Sequence, residues 1–145
     1  MKSDEITVSG AAVTPYERIG GGDAVRALVD RFYDLMDLEP AYADLRRVHG
    51  NDLVNARDKL TWFLSGWLGG PDLYIERFGH PRLRARHLPF SIGLRERDQW
   101  MECMNQAMIE EAFDEDLRMW LVQAFFPTAD WLVNRDSLVE GKSRT

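Results

Sequence analysis

The sequence predicts an all-α domain, on three observations. Apolar residues recur every three or four positions through several long stretches. Almost nothing alternates with period two, and clusters of glycine and proline cut the chain into helix-sized pieces. Thr14-Pro15 is a cap followed by proline at the first helical position, and Gly20-Gly21-Gly22 ends that short helix. Asp23 is placed to cap the next, in which Val25, Leu28, Val29, Phe32 and Met36 keep the 3.6-residue period. Glu39-Pro40 starts a short helix running to about Val48. Asp52 opens a longer one with Leu53, Ala56, Leu60, Phe63, Leu64 and Trp67 on one face, stopped by Gly69-Gly70-Pro71.

From 72 to 94 the pattern is weak, and Gly79, Pro81, Pro89 and Gly93 break it into short turns. Backbone groups there need partners outside regular structure, and such loops between rigid helices are where function tends to sit. Two long helices follow, one from about Arg95 to Phe113 with Trp100, Met104 and Met108 inward. The other runs from about Asp116 to Asn134 with Leu117, Trp120, Leu121, Ala124, Phe125 and Leu132 inward. Residues 1–13 read as a loose N-terminal extension and 135–145 as a flexible C-terminal tail, both rich in Ser, Gly, Lys and Glu.

At 145 residues the chain is long enough for one domain with a real core, and 45% hydrophobic and 29% charged residues are ordinary for a globular protein. A net charge of −6 argues against a nucleic-acid partner. Cys103 is the single cysteine, which excludes an intramolecular disulfide and a cysteine-based zinc site and suits a reducing cytoplasm. Met1-Lys2-Ser3-Asp4-Glu5 does not read as a secretory signal, and no stretch nears the ~20 apolar residues that cross a bilayer. Five tryptophans, seven phenylalanines and six methionines suit either a plain helical core or a flat apolar pocket.

The most informative stretch is Gly79-His80-Pro81-Arg82-Leu83-Arg84-Ala85-Arg86-His87-Leu88-Pro89-Phe90, with Trp100 thirteen residues after His87. It sets one histidine at the end of a short basic helix and one indole on the next long helix. Four more segments accompany it in order: Gly20-Gly21, Arg31-Phe32-Tyr33, Leu45-Arg46-Arg47-Val48-His49, and Phe63-Leu64-Ser65-Gly66-Trp67-Leu68-Gly69-Gly70-Pro71. Together they resemble group II truncated haemoglobins over about residues 14–134. The resemblance implies a truncated globin domain over 14–134, folded as a two-over-two helical sandwich enclosing haem b.

By that resemblance His87 is the proximal iron ligand, and Tyr33, His49 and Trp100 are the distal polar residues. Ala56 and Leu60 take two distal-helix positions. His49 departs from many members, which carry tyrosine or phenylalanine there. Phe32, Ala56, Leu60, Phe63, Phe90, Ile92 and Met104 are expected to line the haem pocket, with small Ala56 leaving the direct distal entrance unguarded. Arg86 and Lys59, with Tyr74 as a weaker candidate, suit the haem propionates, since pairing with carboxylates is a common use of cations at a pocket rim.

Each residue also has a bland reading. His87 can be a solvated or capping side chain, although imidazole is the usual proximal ligand of globin haem. Tyr33, one residue off the apolar stripe, can be a boundary tyrosine with its hydroxyl in water. Trp100 can be core, but its indole has one donor and no acceptor, so burial demands a partner. His49 can be a turn residue before Gly50-Asn51; its sharper role donates to a ligand or to the Tyr33 hydroxyl and titrates near neutrality. Arg86 and Lys59 can belong to solvated faces, and His80 reads as a turn residue. A distal donor in a dry pocket stabilises charge on a bound diatomic by ~1.5–3 kcal/mol, roughly ten- to a hundredfold in ligand release.

The implied function is reversible binding of O2 and other diatomic ligands, NO and CO among them, with redox chemistry as nitric oxide dioxygenation or reaction with peroxide. An external reductase would be needed, because the chain has no flavin or nicotinamide motif. The alternative within the haem readings is a gas sensor signalling through a partner protein. A haem-free helical interaction module is the third reading, and an intense Soret band separates it from the other two.

Overall fold

The computed structural model of the protein describes residues 6–8 and 11–135. Among the described residues, helix dominates: α1 (Pro15–Ile19), α2 (Gly22–Leu38), α3 (Ala43–Val48), α4 (Leu53–Trp67), α5 (Leu73–Phe78), α6 (Leu83–His87), α7 (Leu94–Glu110) and α8 (Glu115–Trp131). A 3-10 turn, Pro40–Tyr42, leads into α3. The N-terminal stretch, expected to be loose, carries a small antiparallel ribbon of β1 (Ile6–Val8) and β2 (Ala11–Val13) with Thr7 paired to Ala12. The expectations for residues 1–5, 9, 10 and 136–145 fall outside the described residues. No helix among the described residues is long and apolar enough to cross a membrane.

The chain divides into two compact units, Met1–Asp30 with Val54–Pro81 and Arg31–Leu53 with Arg82–Thr145. The first takes in α1, the opening of α2, nearly all of α4, and α5. Thr14 caps α1 as its sequence suggests: its hydroxyl accepts from Glu17 N at 3.1 Å, and the Glu17 carboxylate accepts from Thr14 N at 3.3 Å. The start of α1 then runs close to the end of α4, where Tyr16 N donates to Leu68 O at 2.9 Å. That approach explains Gly69-Gly70: a Cβ on Gly70 would lie 2.5 Å from the Tyr16 ring, and Gly69 has φ 99°. Val25, Leu28, Val29, Leu64, Leu68 and Tyr74 form the buried apolar set of this unit among the described residues. Arg26 pairs with Asp58 at 2.8 Å and Arg57 with Asp30 at 3.0 Å, tying α2 to α4.

The second unit is built on α7 and α8, with the close of α2, α3 and α6. Phe32, Met36, Met104, Ala107, Met108, Leu117, Leu121 and Phe125 are buried within it. Cys103 is buried as well; burial pushes its thiol up to about 12, and Sγ–H donates to Phe32 O at 3.3 Å. Tyr42 O–H donates to Gln106 on α7, and Leu45 N, an orphan donor at the start of α3, donates to Gln99 Oε1 at 2.9 Å. These bonds fasten α3 to α7.

Two further expectations change. The stretch 72–94, expected to be turns, contains α5 and α6, helices of six and five residues too short to show a period. Arg135, assigned to the flexible tail, is held by Glu96 at 3.1 Å and by Ser91 Oγ at 2.6 Å.

Candidate functional site

The sequence-predicted polar residues Tyr33, His49, His87 and Trp100 all belong to the second unit. His87 ends α6, whose entry is set by Pro81 and by Arg82 in a left-handed conformation with φ 49°. In the last turn the His87 Nδ1 lies 2.7 Å from the carbonyl of Leu83, four residues back. A carbonyl only accepts, so the proton of the neutral ring sits on Nδ1 and Nε2 keeps its lone pair. A ring fixed in this way is oriented to ligate a metal through Nε2.

The loop after His87 is tied down by residues that periodicity does not reveal. Asn134, just past the end of α8, donates through Nδ2 to His87 O at 3.1 Å and to Phe90 O at 2.8 Å. Its Oδ1 accepts from Ile92 N at 2.9 Å, and its own N–H donates to Ile92 O at 2.9 Å. Glu96, buried, accepts from Gly93 N at 2.8 Å and pairs with Arg135. Arg84 donates to the carbonyls of Trp131 and Val133, placing a cation at the C-terminal end of α8. The only sequence signal for any of this is the three-residue spacing from Gly93 to Glu96, a capping-box spacing.

Tyr33, on the close of α2, is 5% exposed, so it is not a boundary residue. Its ring meets Phe32 edge-on at 5.0 Å and His49 edge-on at 5.7 Å. Trp100, half-buried on α7, stands against Phe32 and Phe125 with centroids 5.4 Å away in each case. Phe32 and Met104 are buried, Ile92 is half-buried, and Phe90 and Arg86 are exposed.

His49 caps the end of α3, and its Nδ1 lies 3.0 Å from Leu45 O, again four residues back. Burial holds its pKa below the usual 6.5, and Arg46 and His87 push the same way against the opposing bond to Leu45. At neutral pH the ring is therefore uncharged, protonated at Nδ1, and an acceptor at Nε2. In this tautomer Nε2 accepts, and the lowered pKa places protonation of the ring below the usual range.

Ala56, Lys59, Leu60, Phe63 and Tyr74 belong to the first unit. Ala56, Leu60 and Phe63 are half-buried on α4, and Lys59 Nζ stands 5.6 Å from the Phe78 ring centroid. Tyr74 is buried, with Phe78 at 4.8 Å and Phe63 at 6.4 Å between ring centroids. Phe63 and Tyr74 line a pocket of about 240 Å³ together with Trp62, Trp67, Ile75 and Pro81.

Residues 14–134 match the model of the bacterial-like globin family. Group 2 truncated hemoglobin YjbI of Bacillus subtilis (strain 168) is 40% identical over 121 residues, spanning 83% of this chain and 89% of that protein. This chain belongs to the group II truncated haemoglobins. The group II 2-on-2 hemoglobin from the plant pathogen Agrobacterium tumefaciens superposes with a TM-score of 0.84 at 42% identity, over 90% of this chain and 100% of that one. A truncated oxygen-avid haemoglobin from Bacillus subtilis gives 0.76 at 38% identity, over 84% and 100%. The fold of this truncated haemoglobin is thus the two-on-two globin fold, as its motifs imply, and membership carries haem-based binding of small gaseous ligands.

Proposed function

We propose that this globin holds haem b through His87 and binds O2 reversibly, with NO, CO and peroxide as further ligands. The observation that carries the reading is the His87 ring, whose Nδ1 is committed to Leu83 O at 2.7 Å and whose Nε2 is left with a lone pair. One axial imidazole suffices for a haem iron, because the porphyrin brings the equatorial nitrogens. Bound haem would supply reversible ligation of diatomic gases and one-electron redox chemistry. The loop that Asn134 secures holds the backbone of His87 in place.

On the distal side Tyr33 and Trp100 are the proposed donors. Both are amphipathic rings seated among aromatic neighbours, so their O–H and N–H act where water competes weakly. His49 joins them as the third distal polar residue. Phe32, Ala56, Leu60, Phe63, Phe90, Ile92 and Met104 are proposed to supply apolar contacts to the haem. Arg86, Lys59 and Tyr74 are proposed for the propionates. Slow oxygen release, which two good donors favour, suits chemistry at the iron better than bulk delivery. Nitric oxide dioxygenation, which turns NO and O2 into nitrate, and peroxide reduction both consume electrons. A separate reductase, in a reducing cytoplasm, is the proposed source.

The test is direct. Purified protein reconstituted with haem should show an intense Soret band, and His87→Ala should lose the spectrum of an axial imidazole. Oxygenated protein mixed with NO in a stopped-flow cell should give nitrate at the rate of the spectral change. A His87→Ala variant with unaltered cofactor retention and spectrum overturns the haem assignment; oxygenated protein inert to NO overturns the dioxygenase assignment alone.

A further inference from the structure

Apart from the residues assigned to haem, the second unit carries an open groove of about 480 Å³ between α7 and α8. We propose that this groove docks a cationic amphipathic segment of a partner protein, with an apolar anchor flanked by lysine or arginine. This surface lies outside the haem reading and does not depend on it.

Helix spacing builds the groove from both walls. On α7, Asp98, Met101 and Glu102 lie at i, i+3 and i+4, so one face carries a methionine beside two carboxylates. On α8, Met119, Val122 and Phe126 lie at i, i+3 and i+7 and make an apolar stripe. Phe126 lines the groove and is 41% exposed, and Met119, further along the stripe, is 50% exposed. The walls are fastened at both ends, where Arg118 donates to Asn105 at 2.7 Å and Arg97 to Asp130 at 2.7 Å. The groove is thus formed before a partner arrives, which lowers the ordering cost of binding.

Its polar groups select the partner. The carboxylates of Asp98 and Glu102 accept hydrogen bonds and do not donate them. Gln123 and Pro127 also line the groove, and Pro127 has no N–H, so the Gln123 carbonyl lacks its helical donor. Acceptors beside an apolar floor suit lysine and arginine, which carry several donors and no acceptor. Arg97, a cation at this rim, is committed to Asp98 at 2.8 Å and Asp130 at 2.7 Å. It also stands over the Phe126 ring at 5.0 Å, a contact that shows this ring taking a guanidinium. Exposed Glu102 has no cation paired with it among the described residues. A second copy is the poorer occupant, because a two-fold contact would bring two acidic rims together.

The probe is a synthetic amphipathic helix with leucines on one face and lysines on the other, titrated into the full-length, CO-saturated protein. A helix with glutamate in place of each lysine is the reference. Backbone 15N–1H signals of Met101, Glu102, Val122 and Phe126 should shift with the lysine helix and stay in place with the glutamate helix. Glu102→Lys and Phe126→Ser should each weaken binding about tenfold. Both residues are exposed, so neither substitution opens the core. Glu76→Lys makes the same change of net charge at an exposed residue of α5 outside the groove, and should weaken binding less than about twofold. Shifts gathered elsewhere, equal binding of the glutamate helix, or equal effects of Glu102→Lys and Glu76→Lys overturn the proposal. A dimer in sedimentation that Phe126→Ser dissolves overturns it too, since a second copy would then fill the groove.

Discussion

The side-chain amide of Asn134 donates to the carbonyl of His87 at 3.1 Å, across 47 positions of sequence. With its bonds to Phe90 and Ile92, it turns the loop after His87 from a free turn into part of the packed structure.

Asn134→Ala removes the side-chain bonds and leaves backbone groups of half-buried His87 and Ile92, and of exposed Phe90, to water. The expected cost is about 1–3 kcal/mol in chemical unfolding. Haem transfer to an acceptor globin should quicken about tenfold, the scale of losing a partner behind a metal ligand. Wild-type stability and haem retention in the variant would show that the loop is held by other means.

The proposed distal donors make a second prediction. Tyr33→Phe keeps the ring against Phe32 and His49, and Trp100→Phe keeps an aromatic between Phe32 and Phe125, while each deletes one donor. Oxygen dissociation measured by stopped flow should accelerate roughly ten- to a hundredfold in either variant. Release rates equal to wild type in both would remove the distal role of these residues.

Much of the fold is legible in the sequence, and the limits are physical. Thr14-Pro15 announces the start of α1, and Val25, Leu28, Val29, Phe32 and Met36 mark a face that is buried throughout. α5 and α6 escape because five or six residues give little more than one turn, too little for a period to show. Tyr33 looks like a boundary residue because the stripe suggests a narrower face than α2 buries. The bonds of His49 and His87 to the carbonyls four residues back were not anticipated, because the rotamer of a histidine at a helix end leaves no trace in the sequence. Asn134 was not readable, because its partners lie more than forty residues away and no local pattern encodes that pairing.

Gly70 provides a test of the legible part. A Cβ there would lie 2.5 Å from the Tyr16 ring, so Gly70→Ala forces α1 away from the end of α4. The expected loss is about 1–3 kcal/mol by denaturant unfolding. Gly50→Ala, where an added Cβ meets nothing within 4 Å, serves as the control and should change stability by less than about 0.5 kcal/mol. Equal effects at the two positions would contradict the packing described.

His49 makes stability depend on pH in a definite direction. Its folded-state pKa lies below 6.5, lowered by burial and then by Arg46 and His87, so the unfolded chain binds the proton more readily. The His49 contribution is therefore full above about pH 6.5 and is lost as pH falls from there through the folded pKa. Wild type should lose stability relative to His49→Gln over that acidic window, measured as unfolding free energy against pH. Parallel curves for the two proteins would mean that the imidazole titrates as it does in water.

Asn134 also bears on how the molecule matures. Every partner it secures is synthesised more than forty residues earlier, so α6 and the loop behind it can form while still unpinned. Chains fold from the leading end as they emerge from the ribosome. A nascent globin captured before that asparagine emerges would therefore hold the loop after His87 unpinned, and a pigment held through that histidine as proposed would be gripped loosely until then.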